Sequence, residues 1–389
     1  MLHCVLPPQY SLQTLPPELQ LMVFDCLDSL GKAALIESEI LSSELLLSGC
    51  RIDECEEHGL SMLHAAAHEN YVNTARLLLS ASAATSLPSQ AMGDCNATPI
   101  VIASECGNLE IIHLLMDHGA SVAEWSHSGI TCLHHACRSG QTRAVEILLD
   151  YGADVNKSTA NIGTPLHVAA AEGYADIVRI LLTHGAKVNI LGDLIWRMTP
   201  LQNAALKGDP GCVRLLLEAG AIATYEPTPE QPGHFIHPPN LHMVAAGPHY
   251  NDADTFVHLH HWRPQERPAF AWKPGEKESY AEILRLLIDA GADISQVRMS
   301  GSMTPLHLAV IVGSRPAVEI LLAEGADVNA RTDKGHSVIY FARLMGYGDI
   351  VEMLSEARER RPEKRRKPVL GPKPKVQFPL TQGRVHSSV

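Results

Sequence analysis

The sequence predicts an all-α solenoid, a row of helix pairs stacked side by side. Three observations carry that reading. A short motif, Thr-Pro-Leu-His, stands at Thr164 and Thr304, with variants at Thr98, Thr131 and Thr199 and worn copies at Ser61 and Ser337. The spacing is regular: the steps from Thr98 to Thr131, from Thr131 to Thr164 and from Thr304 to Ser337 are all 33. Each copy carries two short apolar stripes that it cannot bury alone, so neighbours must stack to close a core.

The unit at Gly163–Ala186 shows why it folds. The Thr164 hydroxyl can accept an orphan backbone N–H at a helix start. Pro165 fits the first helical position, where its missing N–H costs nothing. Leu166, Ala169 and Ala170 make a narrow apolar face on which helices can approach closely, and Gly173 ends the helix. Ile177, Val178, Leu181 and Leu182 recur at helical spacing in a second helix, which Gly185-Ala186 closes.

These residues resemble the ankyrin repeat family. The likeness rests on Thr-Pro-Leu-His, on the Leu-Leu-x-x-Gly-Ala-Asp-Val-Asn endings at Leu148–Asn156 and Leu321–Asn329, and on the period. About eight copies span residues 55–357. The resemblance implies an L-shaped stack whose first helices line a concave face and whose connectors end in hairpin-like tips.

In order along the chain, residues 55–225 hold repeats one to five, with the first copy degenerate and a few residues inserted at 85–94. From Thr199 to Thr304 the step is 105, which is not a whole number of periods. Residues 226–294 are therefore expected to form one split repeat. Its first helix lies near Asn240–Ala246, its second at Tyr280–Asp293, and a His- and Pro-rich insertion separates them at 247–279. Repeats seven and eight fill 300–357. Residues 358–389, rich in Pro, Lys and Arg without apolar period, are expected to be a disordered basic tail.

Residues 13–50 lie outside the repeats. Pro16-Pro17 sets a helix entry, and Leu19, Met22, Val23, Cys26, Leu27 and Leu30 share a stripe from which Leu21 and Phe24 depart. A helix apolar on more than one side meets two surfaces. The opening Leu-Pro-x-Glu-Leu followed by a hydrophobic-Phe pair resembles an F-box over about fifteen residues: Leu15, Pro16, Glu18, Leu19, Val23, Phe24 and Leu27 match. The stretch Ala33–Ser48 lacks the Trp usual in that family's second half. The resemblance implies docking on the adaptor subunit of a cullin-type ubiquitin ligase through Leu15, Pro16, Leu19, Leu21, Phe24 and Leu27. The alternative is a helical cap over the first repeat.

Charge separates tail from body. The net charge is −12, and 358–375 holds nine Lys/Arg against two Glu, so the rest of the chain carries −19. That balance argues against a nucleic-acid-binding body. Arg360–Lys367 reads either as a nuclear-import signal or as a solvated tail. Nine scattered Cys without a framework favour a reducing compartment, and Cys106, Cys132 and Cys137 fall inside repeat helices as apolar fillers. Residues 1–12 show no secretory signal, and no apolar run is long enough to span a membrane. A monomer in the cytoplasm, or also the nucleus, is expected.

The repeat histidines His64, His134, His167 and His307 sit on successive layers. By helix diameter, neighbouring layers are about 10 Å apart. Metal ligands, by contrast, lie within about 2.1 Å of one ion. The histidines are therefore assigned to hydrogen bonds between repeats. His258–His261 and the set Cys50, Cys55 and His58 match no standard zinc spacing, so no metal and no cofactor is expected. Phosphate-loop, nucleophile-elbow and zinc-protease motifs are absent from the sequence, so no catalysis is expected. Protein partners are expected at the tips that precede the first helices: Trp125, His127, Ser128 and Ile130, and Ile195 and Trp196. Trp196 has a second reading, as packing beneath the insertion.

Overall fold

The computed structural model describes residues 53, 60–89, 96–126, 129–160, 162–192, 198–224, 240–249, 270–297 and 302–359. The segment 13–50, most of the insertion and the tail beyond 359 lie outside the described residues, and so do His127, Ser128, Ile195 and Trp196. Among the described residues there are sixteen α-helices and no strand longer than an isolated bridge. The chain divides into two compact units, Met1–Pro165 and Leu166–Val389.

In the first unit the helices pair as α1 (Met62–Glu69) with α2 (Val72–Ser80), α3 (Pro99–Cys106) with α4 (Leu109–Asp117), and α5 (Cys132–Arg138) with α6 (Thr142–Asp150). α3 packs between α1 and α5. The core is fully buried aliphatic side chains: Leu63, Leu78, Ile100, Ile111, Ile112, Leu115, Leu133 and Leu148. Each such side chain contributes about 1.5–3 kcal/mol by leaving water.

The second unit holds α7 (Pro165–Glu172), which begins at the boundary, α8 (Ala175–Thr183), α9 (Pro200–Lys207) and α10 (Pro210–Glu218). It continues with α11 (Asn240–Ala246), α12 (Glu276–Asp289), α13 (Pro305–Ile311), α14 (Arg315–Ala323), α15 (Val338–Met345) and α16 (Gly348–Glu359). α11 packs on α12 and reaches α9 on one side and α13 on the other. The two ends of the insertion run differently from the expectation. Gly247–His249 forms a 3₁₀ turn, and α12 starts at Glu276, ahead of Tyr280. The added turn is polar, so the apolar stripe does not show it. It is held because the Glu276 carboxylate accepts the Lys273 N–H at 2.7 Å.

First helices start alike. Ser61, Thr131, Thr199 and Thr304 each form a reciprocal capping box with the residue three positions on. Thr98 does not, because Val101 stands where the others have His or Gln, and Thr98 Oγ1 is buried without a partner. Helix ends turn through left-handed residues that pack close to the next layer. At Gly208 (φ +78°) a Cβ would stand 2.8 Å from the Tyr280 ring. Both the backbone angle and the close approach call for glycine there.

The unmatched Thr98 hydroxyl and the matched Thr131 hydroxyl predict opposite outcomes for one substitution. Thr98→Val should leave thermal stability unchanged or raise it by about 1 kcal/mol, since it removes an unsatisfied buried group. Thr131→Val should lower stability by about 1 kcal/mol or more through the lost cap. Denaturant melts of the two variants side by side check this.

Candidate protein-binding surface

The surface is set by how each layer is tied to the next. In His64 and His134, Nδ1 accepts the backbone N–H of Ser61 (3.1 Å) and Thr131 (3.3 Å). A backbone N–H can only donate, so Nδ1 is bare and the ring proton sits on Nε2. That proton goes to the next repeat: His64 Nε2 donates to Ala97 O and His134 Nε2 to Gly163 O, both at 3.1 Å. In the second unit His167 reaches Met198 O at 3.0 Å, and His242 reaches Met303 O at 2.9 Å. Every acceptor is the residue immediately before the next helix-capping position. At His307 the reach falls short. Nε2 has no hydrogen bond of good geometry, although the carbonyls of His336 and Ala330 stand near enough to oppose the fall in its pKa.

Burial holds these rings neutral. It lowers the pKa of His64 and brings His134 and His307 down to about 4. The buried thiols are inert for the same reason: burial pushes Cys132 up to about 12 and raises Cys137 and Cys212 as well. Among the described residues no group of three or more His, Cys, Asp or Glu side chains converges on a metal-sized site. No described helix is long and apolar enough to cross a membrane.

The ties leave the connectors free to form short hairpins, closed by bridges between Trp125 and Thr131, Thr159 and Gly163, and Arg331 and Ser337. The hairpin before α5 is tied to the helices by side chains. Ser126 N–H donates to Ile130 O at 2.8 Å, and Ser126 Oγ meets His135 Nε2 at 3.0 Å. His135 Nδ1 lies 3.3 Å from Glu105 Oε2 on α3, an ion-pair distance but off the line of a good hydrogen bond. That contact holds the Glu105 carboxyl below its ordinary value. The order Ser–His–Glu is that of a hydrolytic triad. Yet Ser126 is 4% exposed and its hydroxyl also donates to Ile130 O, so substrate has no approach. The relay instead pins the hairpin to the helices below it. Trp125, next to the anchored Ser126, is 61% exposed.

Of the tip residues read from sequence, Trp125 is thus displayed and Ile130 is half-buried. Sequence reasoning missed His135 and Glu105. A signal was there: at the fourth position after the cap most other repeats carry an apolar residue (Ala65, Ile102, Val168, Leu308 and Phe341), with Asn203 the polar exception, so a histidine stands out.

A family model for "Ankyrin repeats (3 copies)" matches residues 30–124, 86–159, 122–192, 158–227 and 275–365, well over half of the chain. The chain belongs to the ankyrin repeat family. Its repeats therefore make it a protein–protein interaction module. A crystal structure of the human ASB11 ankyrin repeat domain is similar in fold, with a TM-score of 0.50 at 22% identity over 67% of this chain and 98% of that one. Curated relatives match over shorter spans. The ankyrin repeat protein nuc-2 of Neurospora crassa is 35% identical over 78 residues, 20% of this chain and 7% of that protein. The ARF GTPase-activating protein Git of Drosophila melanogaster is 38% identical over 74 residues, 19% of this chain and 10% of that protein. The matches thus span a tenth or less of those relatives' length.

The neutral histidines give stability a pH dependence of definite sign. Unfolded, they titrate near their ordinary value of 6.5; folded, His134 and His307 titrate near 4. Between those values the unfolded chain binds more protons, so stability is complete above pH 6.5 and falls as pH drops toward 4. Thermal melts across this range should show the loss, and the His134→Gln variant should show a shallower slope.

Proposed function

We propose that this ankyrin repeat protein is a non-enzymatic substrate-recognition adaptor of a cullin-type ubiquitin ligase. The repeats hold a target and residues 13–50 dock the ligase adaptor subunit. The observation that carries the docking half is the F-box-like opening at Leu15–Leu27, joined to an array whose family binds proteins. Leu15, Pro16, Leu19, Leu21, Phe24 and Leu27 would supply the apolar contact. Co-purification with the adaptor should be lost on Phe24→Ala, with the melting temperature of the repeats unchanged. Retention of the adaptor by that variant removes the reading.

One observation favours a second reading. The 13–50 stripe is apolar on more than one side, as a cap over the first repeat requires. Deleting 1–50 separates the two, since a cap's loss lowers the stability of the repeats whereas a docking arm's loss leaves it. The scattered cysteines and the basic run after Glu359 support a cytoplasmic or nuclear setting.

Target binding is assigned to the pinned hairpin. An exposed Trp beside an anchored residue offers large contact area at little entropic cost, as binding hot spots do. Trp125→Ala should weaken capture of the cellular target about tenfold or more without changing stability. Pull-down with quantitative mass spectrometry measures it, and an unchanged interactome rules out the hairpin.

A further inference from the structure

The eighth repeat departs from the pattern of the others. Tyr340 occupies the position of the buried histidine, yet it is 43% exposed and stacks on His336 at 4.4 Å between ring centres. α15 buries Val338, Phe341, Ala342 and Met345 on one side, where it packs on α13. Its other side carries Ile339, Tyr340, Arg343 and Leu344. Together with Arg331 and Arg358 these line an open groove of about 900 Å³.

A polar outer face on an end repeat serves solubility, and mixed charges suffice for that. This face is predominantly positive around an apolar strip. Among the residues lining it, Glu359 is the single acid against Arg331, Arg343 and Arg358. None of the three arginines has a carboxylate partner among the described residues. By contrast, Arg76, Arg143, Arg179, Arg214 and Arg315 all pair with Glu or Asp within 3.0 Å. Arg331 is held in place by donating to Gly335 O at 2.7 Å. The sequence continues past Glu359 into Arg360-Arg361 and Lys364–Lys367, so the positive charge extends beyond the groove. The chain as a whole is at −12, which makes this end its positive pole.

We propose that the groove binds an acidic peptide segment of a protein partner. An aliphatic or aromatic anchor packs on Ile339, Tyr340 and Leu344, and flanking carboxylates pair with Arg331, Arg343 and Arg358. The basic run after Glu359 carries the groove's own sign, so charge complementarity favours an acidic partner. The proposal deepens the protein-recognition reading by naming a partner class. It is independent of ligase docking and of Trp125, because its test uses a defined peptide.

The probe is a short fluorescein-labelled peptide with Asp and Glu flanking a Leu-Phe pair, titrated into the full-length protein. Saturable binding is expected to weaken about tenfold on Arg343→Glu, further on Arg343→Glu with Arg358→Glu, and several-fold on Tyr340→Ala. The melting temperature should not change, since these side chains are exposed. A peptide with Asn and Gln for the acids should not bind, and added salt should weaken binding. Replacing Lys364, Arg365, Arg366 and Lys367 by Ala should reduce the affinity and leave the Tyr340 dependence intact. The proposal is overturned by absence of saturable binding, by binding indifferent to the groove variants but lost with the tail variant, or by tighter binding of an oligonucleotide than of the peptide.

Discussion

A neutral imidazole joining one repeat to the next is the constraint on which the rest depends. One ring nitrogen receives the cap of its own helix and the other gives its proton to the carbonyl before the next cap. Both backbone groups are buried at a layer boundary, where an unpaired one costs about 1–3 kcal/mol. The bond therefore fixes the register between neighbouring layers. Because it is local to the inner frame, the outer residues of each hairpin are left free. This is why the period holds where the frame is regular, while tip residues vary from Trp125 to Arg331.

Departures from that bond mark where the molecule differs from a uniform array. Gln202 takes the histidine's place on its own cap, since its Oε1 accepts the Thr199 N–H at 2.9 Å as Nδ1 does elsewhere. Val101 reproduces neither half, and the Thr98 hydroxyl is stranded. Tyr340 is too long for the slot and turns outward, and the preceding His307 is left short of its acceptor. The eighth repeat thus gains an exposed aromatic at the position where a further layer would bond.

Periodic features were legible in the sequence because stacking repeats them. Thr164, Pro165, His167 and Gly173 announce a helix and its end, and the assignment of the histidines to hydrogen bonds between repeats follows from their layer spacing. Features that occur once were not legible. His135 occupies a slot filled by aliphatics in most other repeats, and its partners Ser126 and Glu105 come from a hairpin and a different repeat. The start of α12 was misplaced because Glu276–Ser279 carries no apolar signal and is fixed by a side chain–backbone bond to Lys273. Arg331, Arg343 and Arg358 share no motif and meet only through the fold of the last hairpin, α15 and α16.

The split sixth repeat shows how the array carries an insertion without losing register. The 3₁₀ turn after α11 and the approach to α12 are clamped by one aromatic cluster. His249 lies 5.2 Å from both Phe270 and Trp272, and Trp272 lies 6.0 Å from Tyr280 between ring centres. The cluster also bonds outward. Tyr280 OH donates to Leu206 O in the repeat before, while Trp272 Nε1 and Lys277 Nζ donate to Val312 O (3.0 Å) and Gly313 O (2.9 Å) in the repeat after. These three bonds reach the ends of α9 and α13, the inner helices on either side. His242 meanwhile makes the regular tie to Met303 across the same interface. The clamp thus ties the described residues on either side of 250–269 to the repeats before and after. Closing a loop costs free energy that grows only with the logarithm of its length, so the frame tolerates the insertion once its feet are held.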